Sequence, residues 1–204
     1  METTPRLLLP IGHLLGSICY GDSADSVRFT VRVGWRDVDL SLPEFVVWSS
    51  AHGVPDQVGE QPWTADDTYR AARDTGVEDV SAAMEQLLSK ELLAEVGLGT
   101  ADVPRFAAGH QVFPLQLGLG NSVEDPSAFR IGLPAGAAVT VTLPVYSLWS
   151  RAHLQDSLLT ACTQLAPTGP AGTDAAAVAG GFLRVAHTLL SVHGLYFDIA
   201  RERG

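Results

Sequence analysis

Two stretches of this sequence, VDLSLPEFVVWSSAH at Val38–His52 and VTVTLPVYSLWSRAH at Val139–His153, match without a gap at a separation of 101 positions. Each stretch alternates apolar and polar residues, reaches a proline, and ends in Trp-Ser-x-Ala-His. Other matches follow in the same order, with offsets of 97, 99 and 102: Gly12-His13 with Gly109-His110, Gly21-Asp22-Ser23 with Gly120-Asn121-Ser122, and Leu87-Leu88-Ser89 with Leu189-Leu190-Ser191. The ordered series predicts an internal duplication. We therefore expect two domains of ordinary size, residues 1–104 and 105–204.

Composition is typical of a compact protein without a membrane span. The chain of 204 residues is 46% hydrophobic and 18% charged, with a net charge of -10, which is enough apolar material for a core. No uncharged run approaches the roughly 20 apolar residues that cross a bilayer, and Pro10 and Gly12 interrupt the first apolar stretch, so it makes a poor signal peptide. Cys19 and Cys162 form no metal-binding spacing. We expect both to be buried free thiols in a cytoplasmic protein.

The elements of each half are predicted from periodicity. Val27–Val33 and Val38–Leu42 alternate with period two and form a hairpin, after which Pro43 opens a helix that stops at Gly53. The rest of the first half is predicted to form a helix over 64–76, a helix from Val77 and a strand over Leu92–Val96. The second half is predicted to form a hairpin of Phe129–Leu133 with Val139–Leu143, helices over Leu154–Leu165 and Asp174–His193, and a strand over Leu195–Ile199. Hairpin, three helices and strand is the order of a winged-helix-like unit. The predicted fold is α+β, with two tandem winged-helix-like domains related by a pseudo-twofold axis.

Strand pairing between the halves is also expected. Leu92–Val96 is followed by Gln111–Gly118, which could complete the wing of the first domain while it starts the second, so the halves could share a sheet. The strand Leu7–Leu15 then pairs with Leu195–Ile199 in a closed body.

Nucleic-acid binding is disfavoured by charge. The exposed face of the third helix in the first half carries Glu78, Asp79 and Glu85, and the equivalent face near Arg184 and His187 has one fixed positive charge. Phosphate binding needs clustered Lys and Arg. An operator-binding regulator therefore stays as an alternative only.

The hairpin-to-helix junction, VDLSLPEFVVWSSAHG, with the later SAAMEQLLSKELLAEV, resembles PqqD-like domains, also called RiPP recognition elements. The resemblance covers Val27–Val96 and, less closely, Phe129–Ile199. It implies binding without chemistry, with a leader peptide added as an extra strand above the third helix. Carried over to this chain, it places the groove along an edge strand and that helix, at Val27, Phe29, Val31, Val33, Ser81, Glu85 and Leu88.

No catalytic, metal-binding or cofactor-binding motif is present. His13 and His110, and His52 and His153, occupy matched positions, but Gly, Leu, Ser and Ala surround them at ligand spacing. We expect His52 and His153 to pack or cap the end of a helix, where a cation also suits the dipole. Trp48 and Trp149 are predicted core anchors. The sequence predicts no enzyme activity, no cofactor and no metal.

Specific binding is expected where the halves differ. Trp35 lies in the first hairpin turn, where the second half has only Pro, Ala and Gly. It either packs onto its own sheet or, if exposed, is a plausible partner contact. Arg184 and His187 mark the divergent third helix of the second half. The leading hypothesis is a non-enzymatic adaptor that binds a peptide or protein. A DNA-binding regulator and a structural subunit of a larger assembly are the alternatives, and a homodimer is left open.

Overall fold

The structure, a computed structural model, describes residues 6–19, 21, 27–59, 61–170 and 172–201. It is a mixed α+β fold built from small antiparallel sheets, as predicted at that level. The predicted match of Gly21-Asp22-Ser23 lies largely outside the described residues. The first half contains β1 (Arg6–Pro10), β2 (His13–Cys19), β3 (Val27–Val33), β4 (Arg36–Leu40), α1 (Leu42–Ser50), α2 (Ala65–Asp74), α3 (Val80–Ser89) and β5 (Leu93–Gly97).

The second half follows a short helix, α4 (Asp102–Gly109), that the sequence pattern did not predict. Its elements are β6 (His110–Pro114), β7 (Leu117–Gly120), β8 (Phe129–Leu133), β9 (Gly136–Val141), α5 (Leu143–Arg151), α6 (Leu158–Leu165), α7 (Ala175–Arg184), α8 (Ala186–Leu190) and β10 (Leu195–Ile199). The expected boundary between residues 104 and 105 falls inside α4.

Each half has a three-stranded meander in place of the expected two-stranded hairpin. The strand orders are β2-β3-β4 and β7-β8-β9. The added strands carry a register shift just before Gly16 and just before Gly120. Both glycines have positive φ, 141° and 71°, a conformation that glycine adopts at low cost. Such bulges break the alternation on which strand prediction depends.

The remaining strands close each half on itself. β1 pairs with β5 and β6 pairs with β10, both antiparallel. The expected pairing of Leu92–Val96 with Gln111–Gly118 is therefore wrong, and so is the pairing of Leu7–Leu15 with Leu195–Ile199. The first and last strands do meet, but only at a single parallel bridge between Ile11 and Phe197.

The register of these strands corrects the alignment of the halves. Pro10 pairs with Leu93 as Pro114 pairs with Leu195, so the strands that open the halves correspond at an offset of 104 positions. His13 lies in β2, whereas His110 begins β6, the counterpart of β1. The sequence match of Gly12-His13 with Gly109-His110 is therefore wrong.

The first helix of each half is anchored by its tryptophan. Trp48 in α1 and Trp149 in α5 are 4% and 2% exposed. Their indole N–H groups donate to the carbonyls of Ile11 at 3.1 Å and Gly194 at 2.7 Å. The prediction that both are core anchors is confirmed, and a buried indole with a paired N–H is the arrangement expected for such a residue.

The third helix of the first half starts later than predicted, and that of the second half is interrupted. Asp79 accepts a hydrogen bond from the amide of Ala82, so α3 begins at Val80 and the residues from Val77 precede it. In the second half the helix predicted over Asp174–His193 is broken into α7 and α8 at Val185.

One continuous core joins the halves. Phe197, on the last strand, is fully buried and its ring lies edge-on to Phe106 of α4, with centroids 5.3 Å apart. Arg32 of β3 donates to the Tyr196 hydroxyl at 2.9 Å, and the Gly34 amide donates to Asp198 Oδ1 at 2.6 Å. The meander of the first half is thus held by the final strand of the second.

The two cysteines differ in burial. Cys162 is buried, and burial raises its pKa to about 12. Cys19 is exposed, which corrects the expectation that both thiols are buried, because the outer strand β2 has no layer packed over that end. Across the described ranges, no helix has the length and apolar character needed to span a bilayer.

Candidate peptide-binding grooves

The strand assigned to the peptide groove is not an edge strand. β3 pairs with β2 on one side and β4 on the other, so its backbone groups are already used in the sheet. Val31 and Val33 are fully buried, and Phe29 stacks on Phe45 of α1 at a centroid distance of 3.8 Å. Placing the edge at Val27–Val33 is a wrong prediction, since the meander has a third strand; the true edges are β2 and β4.

The helix positions assigned to the groove lie on α3 as expected. Ser81 and Glu85 are exposed, and Leu88 is partly buried against the core. Their role in binding stays a prediction.

His187 is a core residue and not a surface contact. It is 3% exposed, and its Nε2–H donates to the carbonyl of Leu8, 3.0 Å away in the other half. Burial lowers its pKa to about 4, so the imidazole is neutral near pH 7. Its predicted binding role fails because the face of this helix that looked outward from sequence packs against β1. Arg184, three residues earlier, is exposed.

Trp35 is 91% exposed at the tip of the β3–β4 turn. Of the two alternatives, packing onto its own sheet is therefore excluded, and contact of Trp35 with a partner stays a prediction.

In the first half, the groove between the edge strand β4 and α3 is crossed by charged side chains. Lys90, just past α3, forms an ion pair with Glu44 of α1. Arg36 of β4 donates to the Lys90 carbonyl at 3.2 Å and lies 3.4 Å from a Glu91 carboxylate oxygen. Burial pushes the pKa of Glu44 upward, but hydrogen bonds from Lys90 and Ser41 outweigh burial and lower it. The carboxylate is therefore charged at neutral pH and pairs with Lys90 across this groove.

In the second half the same place is open and uncharged. A cleft of about 420 Å³ lies between the end of β9, the start of α5 and the α7–α8 junction. We call it the β9 groove, and its lining residues are Ser127, Ala128, Thr140, Val141, Thr142, Val145, Val185 and Thr188.

The Glu44–Lys90 ion pair has no counterpart in the second half. Val145 stands at the third position of α5, where α1 has Glu44. After the third helix, the Gly194 amide donates to the Leu189 carbonyl just as the Leu92 amide donates to the Leu87 carbonyl. The halves therefore correspond here at an offset of 102 positions, so Val192 is the counterpart of Lys90. An ion pair in one half is thus replaced by two valines in the other. Half of this difference is already visible in the sequence, where the aligned segments LPEF and LPVY place Glu44 against Val145.

A separate pocket of about 350 Å³ lies where the halves meet and is lined by imidazole and aromatic rings, including His13, His52, His193 and Tyr196. The Nδ1–H of His52 donates to the Trp48 carbonyl at 3.0 Å, and burial lowers its pKa to about 4. His52 is thus packed at the end of α1 as expected, but as a neutral ring, so the predicted cation at the helix dipole is wrong. Within the described ranges no three His, Cys, Asp or Glu side chains come together in a way that could hold a metal ion.

No protein-family model matches this chain, and neither a curated protein nor a solved structure matches it significantly.

Proposed function

We propose that this protein is a non-enzymatic adaptor built from two winged-helix-like halves related by duplication, and that it binds an extended, uncharged peptide segment of a partner in the β9 groove. The observation that carries the proposal is the contrast between the grooves. The first-half groove is crossed by an ion pair, whereas its second-half counterpart is open and lined by valines and hydroxyl side chains.

The strand beside the open groove suits peptide addition. Among the described residues β9 pairs only with β8, and Gly136–Ala138 and Thr140 are exposed. A sheet edge with unpaired backbone groups can accept one more strand, whose main-chain hydrogen bonds supply affinity and whose alternate side chains enter the adjoining cleft.

The lining indicates what kind of segment fits. Val141, Val145 and Val185 favour small or branched apolar side chains, and the neighbouring Thr hydroxyls can pair with polar backbone groups. None of the eight lining residues is charged, so the groove offers nothing that would pair with a phosphate backbone. This favours a peptide over DNA as the ligand of this site.

The proposal is tested by introducing the Glu44–Lys90 pair of the first half at the corresponding positions of the second half. The double variant Val145→Glu/Val192→Lys recreates in the second half the side chains that close the first-half groove. Peptides enriched from a random display library on the wild-type protein are then measured by fluorescence anisotropy. We expect the double variant to weaken the best peptide at least about tenfold, because the groove would be closed and charged.

The matched control is Glu44→Val/Lys90→Val, which changes the equivalent pair in the first half and should leave that peptide's affinity unchanged. Circular dichroism and thermal melting verify that both double variants fold. Enriched peptides that bind the two double variants equally well would place the site elsewhere. Enrichment of no peptide, with a salt-sensitive mobility shift of duplex DNA, would replace the proposal with a nucleic-acid-binding function.

A further inference from the structure

The second half has another opening, between its first and second helices, that the first half fills. It is a cleft of about 550 Å³, which we call the α5–α6 cleft. Leu143 and Leu154 on its rim are 54% and 65% exposed, and Arg151 is the one charged residue among those that line it. Large exposed leucines beside a cleft are unusual on a surface that faces only water.

The corresponding place in the first half contains a tryptophan. Trp63 is 5% exposed, and its indole N–H donates to the Ser50 carbonyl at 3.1 Å and to Thr68 Oγ1 at 3.0 Å. Ser50 ends α1 as Arg151 ends α5. Thr68 lies four residues after the helix cap Thr64, as Ala161 lies four residues after its own cap. Both counterparts, Arg151 and Ala161, line the α5–α6 cleft.

The opening follows from a shorter connection. The link between α1 and α2 runs over residues 51–64 and carries Trp63, whereas that between α5 and α6 runs only over residues 152–157. The shorter link supplies no indole to lie between the helices. The first half therefore shows which side chain this helix pair accommodates.

The same chain presents an indole that is not packed. Trp35 is 91% exposed, and the backbone of its turn is anchored to the last strand. The Gly34 amide donates to Asp198, which is 5% exposed, and a Cβ at Gly34 would lie 2.5 Å from Ile199 Cδ1. Gly34 has φ 58°, so glycine suits this position both in conformation and in space. A tryptophan on an anchored turn has only its two side-chain torsions to lose on docking, which suits an interface anchor.

Charge supports the same pairing. Asp37 follows Trp35 by two positions, at the start of β4, and it is exposed. Arg36, on the opposite side, is engaged with Lys90 and Glu91. An indole followed by a carboxylate thus faces outward, and it complements an apolar cleft bordered by a single arginine.

We propose that two copies of this protein associate by inserting Trp35 of each into the α5–α6 cleft of the other, with Asp37 beside Arg151. Because every copy carries both surfaces, reciprocal insertion closes a twofold dimer. The site is distinct from the β9 groove and does not depend on the proposed peptide binding. Each copy carries a net charge of -10, so the dimer should be stronger at about 0.15 M salt than at about 0.01 M, where repulsion is poorly screened.

Sedimentation equilibrium measures the dimer dissociation constant for the wild type and the variants. We expect Trp35→Ala to raise it about 30-fold or more, as for a central aromatic anchor. Arg151→Glu should weaken the dimer, and adding Asp37→Arg to Arg151→Glu should restore it. The matched control is Val123→Ala, since Val123 is 94% exposed and outside the cleft; it should have no effect.

A photo-crosslinking amino acid in place of Trp35 identifies the receiving surface directly. Crosslinks between copies should fall on α5 and α6. A wild-type protein that is monomeric at about 200 µM in about 0.15 M salt overturns the proposal. A dimer that Trp35→Ala leaves intact, or crosslinks confined to the β9 groove, also overturns it. Peptide binding in the β9 groove should persist in the Trp35→Ala variant, so the two proposals fail separately.

Discussion

Lowering the pH from 7.5 to 5.0 should destabilise this protein through two histidines buried near the contact between the halves. His52 and His187 each have a pKa lowered from 6.5 to about 4, with burial as the largest cause. Each donates one ring N–H to a backbone carbonyl, and each is neutral in the folded chain near pH 7. Protonation would place a second N–H and a charge in a site closed to water.

The sign of the stability change follows from whether the folded or the unfolded state binds protons at the higher pH. Between pH 6.5 and about 4 the unfolded chain is protonated at these sites and the folded chain is not. The stabilisation is therefore fully present above pH 6.5 and is lost as pH falls toward 4. Applied between pH 7.5 and 5.0, these pKa values give a loss of about 2 kcal/mol for each histidine, or about 4 kcal/mol for both if they act independently.

Urea unfolding followed by tryptophan fluorescence at pH 7.5 and 5.0 measures the loss. With an m-value of roughly 2 kcal/mol per molar urea, the midpoint should fall by about 2 M. The matched variant is His52→Asn/His187→Gln, because the amide N–H of Asn can replace Nδ1–H and that of Gln can replace Nε2–H. It should be much less sensitive to this pH change. Glu44, whose pKa is also lowered, titrates mostly below this window.

A wild-type midpoint that is the same at both pH values would refute this reasoning. So would a double variant that loses as much stability as the wild type. His13 and His110 also have pKa values lowered mainly by burial, and they account for the small slope that the double variant should retain.

Three further outcomes are expected. Gly12→Ala should lower the free energy of unfolding by about 2 kcal/mol or more, because Gly12 has φ 99° and a Cβ there would lie 2.6 Å from a core valine. The control for thermal melting is Gly59→Ala, where nothing lies within 4 Å of the added Cβ. Equal melting temperatures of the two variants would contradict the prediction. With a thiol reagent near neutral pH, Cys19 should react at once and Cys162 only on unfolding, since it is buried with a pKa of about 12; two equally fast thiols would show that the second is accessible. Glu44→Ala should destabilise the protein by about 1–2 kcal/mol and Glu44→Gln by less, because a glutamine oxygen can still accept the hydrogen bonds from the Ser41 amide and hydroxyl. Denaturant midpoints that match the wild type would argue against a stabilising cap and ion pair.

Local patterns were predictable where a single element decides them. The period-two alternation of Val27–Val33 identified β3 to the residue, because one face of that strand packs on the core. Pro43 marked the start of α1, and Trp48 was recognised as an anchor because an aromatic side chain on an apolar helical face is usually buried.

Relations between elements were not predictable in the same way. That β3 is central depends on β2, whose sequence HLLGSIC hides its pairing behind a bulge before Gly16. The burial of His187 depends on Leu8, 179 positions away. Even so, the difference between a closed and an open groove could have been found by comparing Glu44 with Val145 in the two aligned segments.

The contacts of the final strand bear on how the chain folds during synthesis. The Gly12 amide donates to the Phe197 carbonyl, Arg32 to Tyr196, and Gly34 to Asp198. The Gly12 and Gly34 amides and the Arg32 side chain therefore leave the ribosome more than 160 residues before the groups that pair with them. Until then they lack these partners, and such non-local closure is slow and exposes the nascent chain to aggregation. The first half is therefore expected to be most prone to aggregation before the last strand is made.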